Sequence, residues 1–98
     1  MSPTARSTKL LEAEGWLVDI VERRITRTVK RDLFGFGDLF AVRPGEARIV
    51  QTTTSPNFAA RRTKILASEH LPAVRAANIS VEVHGWNAQK NTCRRELL

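Results

Sequence analysis

At 98 residues, 42% hydrophobic and 27% charged, the chain has the composition of one ordinary globular domain, which excludes a disordered or low-complexity protein. No apolar run approaches the ~20 residues of a membrane helix and the N-terminus lacks the apolar stretch of a signal peptide, so a cytoplasmic location without a membrane partner is expected. The single cysteine, Cys93, excludes an internal disulfide and has no second cysteine with which to build a thiolate zinc site.

Net charge is +6 with a pI near 10.7. Five of the sixteen basic residues fall between Arg23 and Arg31, and Arg61, Arg62 and Lys64 form a second group. Charge concentrated in this way points to a polyanionic partner, most simply nucleic acid.

Taken in order, Ser2 and Pro3 are an N-cap and a first helical residue, and Gly15 is a left-handed stop, so residues 3–14 read as a helix. Residues 16–23 change to β-type alternation with apolar residues on both faces, which predicts a strand covered on both sides. Residues 26–37, with the glycines of FGFG, read as a connection with an exposed basic rim. A short apolar strand over 39–42, a turn at Arg43-Pro44-Gly45-Glu46 and a β-rich run over 47–54 predict an antiparallel hairpin. Ser55-Pro56 opens a helix expected over 56–69, and Leu71-Pro72 breaks the chain before a helical turn at 73–77. Residues 79–86 alternate again as a strand. Residues 87–98 have little apolar periodicity and read as a tail, mobile or ordered only against a partner, outside a domain of residues 1–86.

The chemistry concentrates at one end of the hairpin. Gln51 and Thr53 share a strand face, because residues two apart point the same way, and pairing across the 43–46 turn brings Asp38 toward them. A carboxylate and an amide carbonyl there are hard oxygen ligands of the kind magnesium accepts. Asp38 reads either as that ligand or as a turn cap, and Gln51 as a ligand or as a buried amide bonded to its sheet neighbours. Asp32 and Glu22 are further carboxylates that could join the set, although Asp32 also suits an exposed pairing with Lys30 or Arg31. Asn57, Arg61, Lys64 and Ser68 recur at helical spacing and form either a solvated stripe or a set of phosphate contacts. His70 and His84 stand apart from other ligand-type residues and read as structural.

The αβββαβ order, with Asp38 opening the second strand, Gln51 in the third and a basic helix following, resembles the PD-(D/E)XK nuclease superfamily over residues 8–86. The resemblance implies an α/β, restriction-endonuclease-like core in a single domain, a mixed sheet flanked by helices, and magnesium- or manganese-dependent hydrolysis of DNA phosphodiester bonds. It assigns Asp38 and Gln51 to catalysis and metal binding; beside it, Asp32 is a candidate added ligand, and Arg31, Asn57, Arg61 and Lys64 are candidate nucleic-acid contacts by their charge and position. The family's motif lysine corresponds to Thr53, which has neither charge nor useful basicity, and Lys64 on the following helix is the candidate replacement. By analogy a homodimer is expected, and the alternative is a nucleic-acid-binding module that has lost catalysis.

Overall fold

The computed structural model describes residues 1–98 and runs α1 (Pro3–Ala13), β1 (Leu17–Ile20), β2 (Arg23–Arg24), β3 (Lys30–Arg31), β4 (Leu39–Arg43), β5 (Glu46–Thr54), a 3-10 turn (Ser55–Asn57), α2 (Phe58–Leu66), α3 (Leu71–Ala76), β6 (Ile79–Asn87) and β7 (Thr92–Leu97). One mixed sheet of five strands has the order β1-β4-β5-β6-β7, and β2 and β3 form a separate two-stranded ribbon. β1, β4 and β5 are an antiparallel meander. The α2–α3 crossover then returns the chain so that β6 lies parallel to β5, as a connection of this length with helices allows. The chain is thus an α/β domain with helices on both faces of a mixed sheet. None of its helices is long and apolar enough to cross a membrane.

Strand alternation divides the core into two layers. On one face Leu39, Ala41 and Val50 meet Leu11 and Trp16, closing α1 over the sheet. On the other, Ile49, Val81 and Val83 meet Phe58, Ile65, Leu71 and Val74, with Phe36 from the FGFG loop sealing the end. α1 is started by Ser2, whose Oγ accepts the Ala5 N–H at 3.1 Å, and is followed by Gly15 at φ +91°, the left-handed geometry that favours glycine. Gly37 is required for a different reason: a Cβ there would lie 2.6 Å from Ile49 Cγ2.

Several boundaries differ from those expected. β1 is an edge strand paired only with β4, so it is not covered on both sides: Leu17 is 74% exposed and Ile20 is exposed as well. The basic connection contains the β2–β3 ribbon. The helix expected over 56–69 is shorter, because Ser55–Asn57 is a 3-10 turn and α2 ends at Leu66. Pro72 lies in the first turn of α3, where its missing N–H costs nothing.

Residues 87–98 are not a tail beyond the domain. Asn87 Oδ1 accepts the N–H groups of Gln89 and Lys90 at 3.0 and 2.9 Å, closing a turn, and β7 returns antiparallel along β6. Alternation failed as a signal here because β7 is an edge strand whose interactions are ionic. Arg95 joins Glu14 at the end of α1 to Glu82 in β6, at 2.5 Å and 3.0 Å, and Arg62 in α2 reaches Glu96 at 2.5 Å.

Glu82 is the hub of a polar network under α1. His84 Nε2 lies 2.6 Å from Glu82 Oε1, and the Ser7 hydroxyl joins His84 Nδ1 at 2.8 Å while accepting the Trp86 indole N–H at 2.8 Å. Arg48 Nη1 adds a contact to Glu82 at 3.4 Å. Burial pushes the Glu82 carboxyl up, but the hydrogen bonds from His84 and Arg95 outweigh it and bring the pKa down from 4.5 to about 2. A depressed carboxylate contributes stability above its unfolded value that is lost as pH falls through the folded one. The protein is therefore expected to lose about 3 kcal/mol of stability from this group between roughly pH 5 and pH 2, at 1.36 kcal/mol per pH unit. Glu82→Gln should be less stable at pH 7 and show a flatter acid limb, measured by urea unfolding across that window; an unchanged limb would disprove the assignment. On the opposite face, an alanine Cβ at Gly85 would meet Phe58 Cδ2 at 2.7 Å. Gly85→Ala is expected to cost about 1–3 kcal/mol by pushing α2 off the sheet, read as a lowered melting temperature.

Candidate functional site

Three strand registers converge at one end of the sheet. In the β4–β5 hairpin Leu39 pairs with Val50, so the preceding residue, Asp38, comes opposite Gln51, and the Asp38 N–H donates to the Val50 carbonyl at 2.9 Å. In β1–β4 Ile20 pairs with Leu39, and the chain just beyond it stays attached: Val21 and Glu22 donate their N–H groups to the Asp38 carbonyl at 2.9 and 3.4 Å. In the ribbon Arg23 pairs with Arg31, which sets Glu22 and Asp32 side by side at its feet. As a result, carboxylate oxygens of Glu22, Asp32 and Asp38 all lie within 4.8 Å of one another.

They line an open cleft of about 620 Å³. Ser2, Pro3, Thr4 and Ala5 at the start of α1 form one wall, and Ile20, Lys30, Gln51, Thr52 and Arg61 contribute the rest. Asp38 itself is only 4% exposed. Its Oδ2 accepts from Gln51 Nε2 at 2.7 Å, from the Thr52 N–H at 2.8 Å and from the Thr52 hydroxyl at 3.2 Å. Thr52 Oγ1 in turn lies 2.9 Å from Thr4 Oγ1, linking the site to α1. These three hydrogen bonds all fall on Oδ2, and together they fix the orientation of the carboxylate.

Electrostatically the cleft is short of positive charge. Burial raises the Asp38 carboxyl, the Thr52 N–H opposes this, and the neighbouring Asp32 and Glu22 raise it further, to about 7 from an ordinary 3.8. The nearest ion pair is a loose one, Lys30 Nζ to Glu22 Oε1 at 3.9 Å. Three crowded carboxyl groups of this kind hold either a shared proton or a cation. Their hard oxygens fit the preference of magnesium and manganese, which bind through a few carboxylates and retain water.

Of the residues expected at the site, Asp38, Asp32, Gln51 and Arg61 line the cleft together. Gln51 faces Asp38 with its amide nitrogen, so it acts as a hydrogen-bond donor that orients the carboxylate, and Glu22 is the third carboxylate instead. Lys64 is not brought to Asp38: with Phe34, Gly35, Phe36, Ser68, Glu69 and His70 it lines a separate cavity of about 260 Å³. α2 turns Arg61 toward the cleft, and Lys64, three residues on, falls beside the FGFG loop. Asn57 is exposed and donates its amide to Thr54 Oγ1 at 3.2 Å, while Arg31 is exposed on the ribbon; neither lines the cleft. Thr53 is buried within β5. The residues missed were Lys30 and Thr52. The signal for Lys30 was its position two residues before Asp32, which becomes informative only once residues 23–31 are read as a ribbon.

A second constellation has the order of a nucleophilic triad: Ser7, His84 and Glu82 are linked in sequence by the bonds described above. Ser7 and His84 are both 0% exposed, so the hydroxyl cannot meet a substrate and the set serves to hold α1 on the sheet. Comparison with family models, with curated proteins and with solved structures finds no match to this chain.

Proposed function

We propose that this protein is a metal-dependent nuclease that hydrolyses DNA phosphodiester bonds at the cleft around Asp38. The observation that carries the reading is the convergence of Glu22, Asp32 and Asp38 in a cleft that also contains two cations, Lys30 and Arg61. The element order, a helix, a three-stranded meander, a helical crossover and a parallel strand, supports a restriction-endonuclease-like core, with Asp38 opening the second strand of the meander and Gln51 in the third.

In this reading Glu22, Asp32 and Asp38 hold a magnesium or manganese ion. When bound, such an ion polarises a phosphoryl oxygen and lowers the pKa of a coordinated water. The chain's own groups do the positioning. Gln51 and the Thr52 N–H fix the Asp38 carboxylate through Oδ2. Arg61 binds a phosphate of the substrate by charge and hydrogen bonding. Lys30, which lines the cleft and is only loosely paired with Glu22, would take the role of the motif lysine in place of Lys64, orienting or deprotonating the attacking water.

Thr53 favours a second reading. The resembled motif has a lysine there, and this chain has an uncharged, buried threonine. A nucleic-acid-binding module without cleavage would keep salt-sensitive affinity that a chelator does not change.

Incubation of plasmid, branched and single-stranded DNA with magnesium, manganese or chelator separates the two. The nuclease reading expects metal-dependent cleavage abolished by Asp38→Ala, reduced about 10–100-fold by Gln51→Ala as for loss of a ligand-orienting partner, reduced by Lys30→Ala and unaffected by Lys64→Ala. Absence of cleavage from all three substrates, with binding retained in chelator, would favour the module. Manganese is also expected to raise the melting temperature of the wild type and not of Asp38→Asn, and equal shifts in the two would remove the metal site.

A further inference from the structure

The ribbon has a charge problem that its own fold does not solve. Within nine residues it carries Arg23, Arg24, Arg27, Lys30 and Arg31, and all nine residues are exposed. Its two paired registers set Arg23 opposite Arg31 and Arg24 opposite Lys30, like charge facing like charge, an arrangement that weakens a strand pair. The apolar side chains that would normally hold a hairpin, Ile25 and Val29, are 55% and 50% exposed near the tip and bury nothing in either core layer. A two-stranded ribbon alone is marginal. The carboxylate paired with it is Glu22, at 3.9 Å from Lys30; the tip is closed by the Ile25 N–H on the Val29 carbonyl at 2.9 Å and by Thr26 Oγ1, which accepts the Val29 N–H at 3.1 Å.

We infer that the ribbon of residues 23–31 is an arm that grips the phosphate backbone of duplex DNA and feeds it to the cleft, an inference that rests on the nuclease-site reading for the cleft but not for the grip. Like charges facing one another across an exposed ribbon are relieved by a polyanion laid along it, since phosphates replace the missing counter-charge and release their own counterions. A ribbon two strands wide is of a size that the major groove of B-form DNA admits, whereas the deep, narrow major groove of A-form RNA does not. The feet of the arm are the cleft itself: Glu22 immediately precedes Arg23, Asp32 immediately follows Arg31, and Lys30 belongs to both. Backbone held by the arm is therefore delivered beside the carboxylates without a hinge or a second domain. Contacts of this kind position the substrate and do not read its sequence.

The test is binding of a fluorescent DNA duplex by the full chain in chelator, across a salt series, for the wild type and for Arg24→Gln/Arg27→Gln, neither of which lines the cleft. The variant should bind about 10–100-fold more weakly near 100 mM salt, with the slope of log affinity against log salt smaller by about two, as expected for two lost phosphate contacts. Its melting temperature should be unchanged or higher, because a like-charge pair is removed; a merely structural role would lower it. Unchanged affinity and slope would overturn the arm even if the protein cuts DNA. Loss of binding with no cleavage by the wild type would leave the arm standing and remove the nuclease. Equally tight wild-type binding to a single strand or to duplex RNA, or equal competition by polyglutamate, would overturn duplex DNA as its partner.

Discussion

The pairing register of the β4–β5 hairpin is the constraint on which the rest of the site depends. It sets Asp38 opposite Gln51 and points Leu39, Ala41 and Val50 into one core layer while Ile49 enters the other. A slip of one residue would move each of these side chains to the opposite face. Because the same strands carry the core and the site, the apolar burial that stabilises the sheet also fixes the carboxylate. Asp38 is then locked from below by Gln51 and Thr52, and the chain beyond β1 is tied to its carbonyl. Burial and three hydrogen bonds to Oδ2 thus hold this carboxylate in one orientation.

The protein's two acidic centres illustrate how environment decides the role of a carboxylate. Glu82 and Asp38 are about equally buried, yet their pKa values move in opposite directions, to about 2 and to about 7. Glu82 is surrounded by His84, Arg48 and Arg95, so its charge is compensated from within and it serves to fasten α1, β6 and β7. Asp38 is surrounded by Asp32 and Glu22, so its charge is left to be compensated from outside. Two cations, Lys30 and Arg61, line the cleft, and the other basic residues of the ribbon, Arg23, Arg24, Arg27 and Arg31, stand outside it. Charge follows the same division, with the basic ribbon of residues 23–31 standing directly beside the three carboxylates.

Sheet edges explain most of the differences between the expected and observed architecture. β1 and β7 each have one neighbour, so neither needs the two-sided apolar pattern of β5 and β6. β1 nevertheless has that pattern, which made it look like an interior strand and leaves Leu17 and Ile20 on the surface. β7 lacks it and looked unstructured, although Arg95 and Glu96 anchor it through ion pairs to three other elements. Alternation reports burial, and an edge held by charge has little burial to report.

Sequence alone determined the α/β class, the hairpin with its turn at Arg43 to Glu46, the strand over 79–86 and the approach of Asp38 to Gln51, because local periodicity and turn chemistry carry all of them. The basic character of residues 23–31 was equally plain, since composition needs no fold. Only the tertiary structure decided which acidic and basic groups share a cleft. Glu22 and Asp32 meet because a ribbon with no apolar pattern pairs Arg23 with Arg31. Arg61 and Lys64 share a face of α2 but lie nearly a turn apart along it, so Arg61 lines the carboxylate cleft and Lys64 the cavity beside the FGFG loop. Such convergences depend on long-range pairing and helix placement, which no short stretch of residues specifies.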